Sequence, residues 1–143
     1  MIVLSCYQSL YKMLCTRKDI IMENKGDVLG LLGIERINAS DENGFALKYQ
    51  VNEKHLNPFG SIHGGVLFTL CDDCLMTFEQ HNGRTGIGSE GIIRFYRAAA
   101  PGDVLTARAS IRKDGRRMGF YIIELFNEAG KLLCEATYTV VYA

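Results

Sequence analysis

The 143-residue chain has no block of like charge: 16 Lys and Arg balance 16 Asp and Glu. It therefore lacks the basic footprint that nucleic acid demands, and no nucleic-acid partner is expected. It has no long hydrophobic run either. Ile2-Val3-Leu4 is too short to span a bilayer, Lys12, Arg17 and Lys18 follow it, and a basic n-region and small-residue cleavage site are missing. A cytoplasmic protein with no membrane partner is expected. Histidine is scarce, and His55, His63 and His81 show no ligand spacing such as H-E-x-x-H, so no metal is expected. The five cysteines are an odd number, unlike a secreted disulfide framework, and a chain this long does not need one. Cys71 and Cys74 form a C-x-x-C with no second pair at zinc spacing. Both fall on an apolar helical stripe, which makes them packing residues.

What the chain does have is a glycine-rich loop opening an apolar helix. Asn57-Pro58-Phe59-Gly60-Ser61-Ile62-His63-Gly64-Gly65 runs straight into Val66-Leu67-Phe68-Thr69-Leu70-Cys71-Asp72-Asp73. Two glycines at a helix mouth allow close approach of a ligand or another backbone. The free N–H groups there attract negative charge, including a carbonyl oxygen becoming an oxyanion. Leu67, Leu70, Cys71, Cys74, Leu75 and Phe78 form a core-facing stripe at i, i+3, i+4, i+7. Asp72 lies off that stripe, with Phe68 at i−4, Met76 at i+4 and Glu79 at i+7. A second apolar patch around an acid implies a second contact surface and a desolvated carboxylate, whose pKa rises. Asp73 is expected to be solvated, and Glu79 to be solvated or capping.

Length is that of one domain with a real core. Residues 1–21 form an N-terminal extension, in which Leu4, Tyr7, Leu10 or Tyr11, and Leu14 could line one face of a short helix. Met22 reads as a second plausible start, and whether the extension is integral stays open. Residues 22–143 form the domain proper. Asp27 to Leu32, closed by Gly33, reads as a short helix. Ile34 to Ala39 and Phe45 to Val51 read as strands around the turn Ser40 to Gly44. A long helix follows from about Gly64 to Gln80. Four long strands complete the chain: Gly86 to Arg97, Asp103 to Arg112, Arg117 to Asn127 and Lys131 to Tyr142. Pro101-Gly102, Lys113-Asp114-Gly115-Arg116 and Glu128-Ala129-Gly130 supply the turns between them. One long helix against about six mostly antiparallel strands is an α+β architecture whose sheet can wrap the helix.

In this order the motifs resemble the hotdog-fold acyl-CoA thioesterase superfamily, in particular the branch of the phenylacetate-pathway thioesterase. The most specific likeness is N-x-x-x-x-x-H-G-G-x-x-x-x-x-L-x-D, matched by Asn57, His63, Gly64, Gly65, Leu70 and Asp72. Ile93-Arg94-Phe95-Tyr96-Arg97-Ala98, Pro101-Gly102-Asp103 and the Gly115-Arg116 turn follow in register. The resemblance implies hydrolysis of an acyl-CoA thioester with no cofactor, in a homodimer or homotetramer with sites at the subunit interface. It implies that Asp72 is the catalytic carboxylate, as general base or as nucleophile, and that the Gly64 N–H polarises the carbonyl. Asn57 matches the residue that positions water, or else shapes a turn around Pro58. Ser89 matches a hydroxyl position near the acid, or else is an ordinary strand serine. His63 is expected to hydrogen-bond within the loop, and with Gly65, Phe68 and Met76 it lies on the substrate side. Arg97, Arg116 and Arg117, with Arg112 and Lys113 nearby, are expected to hold the coenzyme A nucleotide. Asp73, Glu90 and the Ala98-Ala99-Ala100-Pro101 turn depart from the family pattern and bear on substrate identity. A hotdog domain that binds acyl-CoA without turnover and a hotdog acyl-thioester dehydratase or hydratase are the competing activities.

Overall fold

A computed structural model describes residues 27–38 and 44–142. The expected N-terminal helix face, the second start at Met22 and most of the Ser40–Gly44 turn lie outside the described residues. A short helix α1 (Val28–Leu32) is capped by the Asp27 carboxylate on the Gly30 N–H (2.8 Å) and ends at Gly33, with φ +65°. Strands β1 (Glu35–Asn38) and β2 (Ala46–Gln50) follow, then a single 3-10 turn (Glu53–His55) and the long helix α2 (Gly64–His81). Strands β3 (Gly86–Phe95), β4 (Val104–Asp114), β5 (Met118–Phe126) and β6 (Leu132–Tyr142) complete the chain. The helix runs one residue further than the apolar stripe predicts. β3 stops at Phe95 rather than Arg97, where Tyr96 and Arg97 both donate N–H groups to the Leu133 carbonyl.

All six strands form one antiparallel sheet in the order β1-β2-β4-β5-β6-β3. Sequence neighbours β2 and β3 are thus separated by the whole width of β4, β5 and β6, and α2 makes the crossing between them. Its stripe of Leu67, Leu70, Cys71, Cys74 and Leu75 is buried against Leu47, Tyr49, Leu105, Ile123, Leu125 and Val140 of the sheet. The strands earn this burial by alternation: in β5, Gly119, Tyr121, Ile123 and Leu125 point inward while their neighbours face out. Cys71 and Cys74 are fully buried core side chains, as the stripe predicts.

Helix and outermost strand meet at close quarters. A side chain at Gly64 would sit 3.0 Å from the Phe95 ring, and one at Gly91 would sit 3.0 Å from the Phe68 ring. Here glycine is needed for approach, not for an unusual φ. α2 and β3 therefore run past one another in opposite senses, with β3 forming a free edge of the sheet.

Candidate active site

Two features of α2 could act chemically, its mouth and the acid near its middle. The loop leading to the mouth is held by its own hydrogen bonds. The Asn57 Oδ1 accepts from the Phe59 N–H (2.9 Å) and the Ser61 N–H (3.3 Å), and its Nδ2 donates to the Ser61 Oγ (2.8 Å). Asn57 thus shapes the turn, and one of its two Nδ2 protons remains for another acceptor. Buried His55 accepts from the Asn52 N–H through Nδ1 (3.0 Å), so Nε2 carries the proton and donates to the Leu32 carbonyl (2.7 Å). That bond ties α1 to the loop. His63 caps α2, its Nδ1 accepting from the Gly65 N–H (2.9 Å), which bears out the loop role expected of it. The Val66 and Leu67 N–H groups reach the His63 carbonyl. In the first turn this leaves the Gly64 N–H alone without a partner among the described residues, at the positive end of an 18-residue helix.

Asp72 opens onto a cleft of about 710 Å³ between α1 and α2, which is lined by Val28, Leu29, Ile34, Phe68 and Met76 on its apolar side. Burial first, and then the neighbouring Asp73 charge, pushes the Asp72 carboxyl above its ordinary range. Asp72 stays exposed to solvent at the cleft, so the expected desolvation is partial, and its cause is a cleft wall that the helix alone does not reveal. Thr69, Asp27, Asp73 and Arg36 complete the lining.

Asp73 is not solvated as expected. Its carboxylate takes the Tyr49 hydroxyl at 2.7 Å and the Arg36 guanidinium at 3.0 Å, and only 14% of its side chain is exposed. Arg36 also reaches the Thr77 hydroxyl at 3.1 Å. β1 and β2 thereby clamp α2 one residue past Asp72, fixing the rotation that turns Asp72 to the cleft. Glu79 is not solvated either: it is 5% exposed and bonds Tyr121, with one carboxylate oxygen unpartnered. It sits at i+4 from Leu75 and i+8 from Cys71, on the core stripe. Tyr121 passes the contact to Tyr142, Tyr142 to Asp114, and Asp114 to Arg84 (2.6 Å). Ser89 occupies the β3 bulge, exposed, its Oγ donating to the Thr139 carbonyl (3.1 Å).

The basic residues divide. Arg97 is exposed but donates to the Leu132 carbonyl (2.8 Å). Arg112, Lys113, Arg116 and Arg117 surround the β4–β5 turn, and Asp114, the acid of that turn, is engaged by Arg84. Among the described residues no carboxylate pairs with those four cations, no cluster suits a metal ion, and no helix is long and apolar enough to cross a membrane. Sequence reasoning missed Arg36, Tyr49 and the α1 wall of the cleft. A signal was there: Val28 and Leu31 are apolar, yet α1 is too short to bury both.

Residues 59–134, just over half of the chain, match the family model described as thioesterase superfamily. The chain belongs to that superfamily. It is 38% identical over 101 residues to the acyl-coenzyme A thioesterase PaaI of Escherichia coli, covering 70% of this chain and 71% of that protein. The solved E. coli PaaI protein, from the phenylacetic acid degradation operon, superposes with a TM-score of 0.70 at 31% identity, covering 79% of this chain and 86% of that one. A hypothetical thioesterase of Streptococcus pneumoniae with coenzyme A gives 0.69 at 29% identity, covering 77% and 88%. The hotdog architecture expected from the motifs is the fold of the PaaI structure. As a superfamily member the protein is a thioester hydrolase, and Gly64, Asp72, Ser89, Arg97, Arg116 and Arg117 all fall inside the matched segment.

Proposed function

We propose that this thioesterase hydrolyses acyl-CoA to the free acid and coenzyme A, at a site that two copies of the chain complete together. One observation carries this reading. The Gly64 N–H, unpartnered among the described residues, and the Asp72 carboxylate, open to the cleft and raised in pKa, stand on the same helix, eight residues apart. That is about 12 Å of helical rise. An oxyanion donor must lie about 3 Å from the carbonyl oxygen, and a base within about 3 Å of the attacking water. One helix cannot serve one carbonyl with both groups. The Gly64 mouth of one copy facing the Asp72 cleft of another can, and that arrangement puts the apolar patch around Asp72 at an interface.

In the assembled site the thioester oxygen lies on the Gly64 N–H and the acyl chain lies along Phe68 and Met76. Asp72 takes a proton from water as its oxygen attacks the carbonyl carbon, and the resulting oxyanion collapses to expel the coenzyme A thiolate. Alternatively an Asp72 oxygen attacks directly, the thiolate leaves, and water hydrolyses the mixed anhydride. The spare Asn57 Nδ2 proton is suited to hold the water in either course. Ser89, on the strand that runs opposite to α2, is suited to orient the carboxylate once its hydroxyl turns from the Thr139 carbonyl. The four unpaired cations at the β4–β5 turn suit the phosphates of the nucleotide. Similarity to acyl-CoA thioesterases and to a fold solved with coenzyme A supports this substrate class.

Mixing inactive chains tests the reading. Asp72→Asn removes the acid, and Gly64→Pro removes the N–H at a first helical position that suits proline, made together with Phe95→Ala to clear the ring that its side chain would meet at 3.0 Å. Each variant alone should lose acyl-CoA hydrolysis, and co-refolded chains should regain it through mixed dimers holding one intact site. Failure of the mixture to regain activity, with both variants folded, overturns the shared site. A single turnover in isotopically heavy water separates the two courses, because only the anhydride course leaves heavy oxygen in Asp72.

A further inference from the structure

Phe59 is 94% exposed, more than any other large apolar residue described. Its exposure is built in. The Asn57 N–H bonds the Ser61 carbonyl (2.7 Å), the Gly60 N–H bonds the Asn57 carbonyl (3.0 Å), and the Asn57 side chain holds the Phe59 N–H (2.9 Å). Gly60 takes φ +78°, which a side chain would resist, and the Ile62 N–H fastens the turn to the Ala99 carbonyl (2.9 Å). A ring presented on a pre-ordered turn loses little freedom on docking, which is how aromatic anchors of interfaces work.

Among the described residues the chain also holds an open cleft that suits such a ring. The α1–α2 cleft has a volume of about 710 Å³ and an apolar side made by Val28, Leu29, Ile34, Phe68 and Met76. Position joins the two. Phe59 precedes Gly64 by five residues on one hydrogen-bonded loop, and Asp72 lines the cleft. An approach of the Gly64 mouth of one copy to the Asp72 of another brings Phe59, at most about 17 Å of chain from Gly64, within reach of that same cleft. In a two-fold dimer the exchange is reciprocal.

We propose that Phe59 of each copy seats in the α1–α2 cleft of its partner and closes the acyl pocket there, so that this ring sets how long an acyl chain the enzyme accepts. The inference rests on the two-copy reading of the site and adds to it the occupant of the cleft and the gauge of substrate length.

Two measurements test it. The first is kcat/KM for a straight-chain series from acetyl-CoA to palmitoyl-CoA. Phe59→Ala should raise the ratio of long-chain to short-chain kcat/KM by roughly tenfold or more, the scale for a few methylenes in an apolar pocket, and Phe59→Trp should lower it. The exposure of the ring within its own chain keeps either variant folded. The second is cross-linking: in a chain with Cys6→Ser and Cys15→Ser, where Cys71, Cys74 and Cys134 are buried, Phe59→Cys with Met76→Cys treated with a short bis-maleimide should yield covalent dimers that neither single substitution yields. An unchanged length profile, or a cross-link confined to one chain, overturns the proposal. Asp72→Asn run alongside distinguishes the failures. If it abolishes turnover while the Phe59 variants keep the parent profile, the ring assignment alone is wrong; if it stays active, the reading of the site is wrong.

Discussion

Asp72 and Glu79 are two acids on one helix, and burial raises the carboxyl pKa of both. They nevertheless face different worlds. Asp72 opens on the α1–α2 cleft, with no protein hydrogen bond to its carboxylate among the described residues. Glu79 is closed into the core and holds Tyr121, at the inner end of a chain through Tyr142 and Asp114 to Arg84. A raised pKa therefore does not by itself tell a reactive acid from a structural one. What separates the two is access: a base must meet water and substrate, and of these acids Asp72 is the one that opens on a cleft.

The sharpest break of this comparison is a pair of isosteric changes. Asp72→Asn should lower kcat by about 100-fold or more while leaving the melting temperature near that of the parent. Glu79→Gln should leave most of the turnover and change stability instead. Equal losses of activity from the two changes would erase the distinction.

Stability against pH sharpens it further. Burial raises the folded pKa of Glu79, so ionising it costs more in the folded chain than in the unfolded one. Its contribution is intact below the ordinary glutamate range and is lost as pH rises through the raised folded value. Glu79→Gln keeps a partner for Tyr121 without the charge. The melting temperature of the variant should gain on the parent as pH rises from the ordinary glutamate range through the raised folded value. Glu79→Ala, which removes buried side-chain volume and the carboxyl partner of Tyr121 while Tyr142 still meets that hydroxyl, should lower the melting temperature at every pH. A Glu79→Gln advantage that does not vary with pH would show that the residue stays in one protonation state throughout.

Asp73 is intermediate: it touches no substrate in the proposed site, yet its charge raises the Asp72 pKa and its clamp to Tyr49 and Arg36 sets the helix rotation. Asp73→Asn should move the acidic limb of kcat/KM to lower pH, because the ionised Asp72 no longer faces a like charge. The loss of kcat should be far smaller than for Asp72→Asn. A limb that stays in place would mean that Asp73 acts by packing alone.

The same three acids show where the sequence was legible. The glycine mouth, the apolar stripe and the strand alternation are local patterns, and the helix, the four C-terminal strands and the second apolar patch beside Asp72 follow from them. Asp73 was misjudged because its partners come from Arg36 and Tyr49, which are 37 and 24 residues away, and no periodicity of α2 can show them. Glu79 was misjudged for a different reason. Its spacing from Cys71 and Leu75 puts it on the core stripe, but glutamate is seldom buried without partners, and the tyrosines that offset its burial lie on β5 and β6. The cleft wall was illegible because β1 and α1 reach Asp72 only through the fold of the sheet.

The smallest effect belongs to the β4–β5 turn, a region of exposed charge set against the acid of the cleft. Arg112, Lys113, Arg116 and Arg117 lie there in solvent. Contacts from such residues to nucleotide phosphates are screened by salt and are made equally in the ground state and the transition state. Their loss should therefore appear in KM. Arg116→Ala with Arg117→Ala should raise KM for acyl-CoA several-fold, leave kcat nearly unchanged and weaken the salt dependence of KM. An N-acetylcysteamine thioester of the same acid lacks the nucleotide and provides the control. The double variant should handle that truncated substrate as the parent does, because the Gly64 mouth and Asp72 are untouched. Equal impairment on both thioesters would show that the turn supports the fold of the site rather than holding coenzyme A.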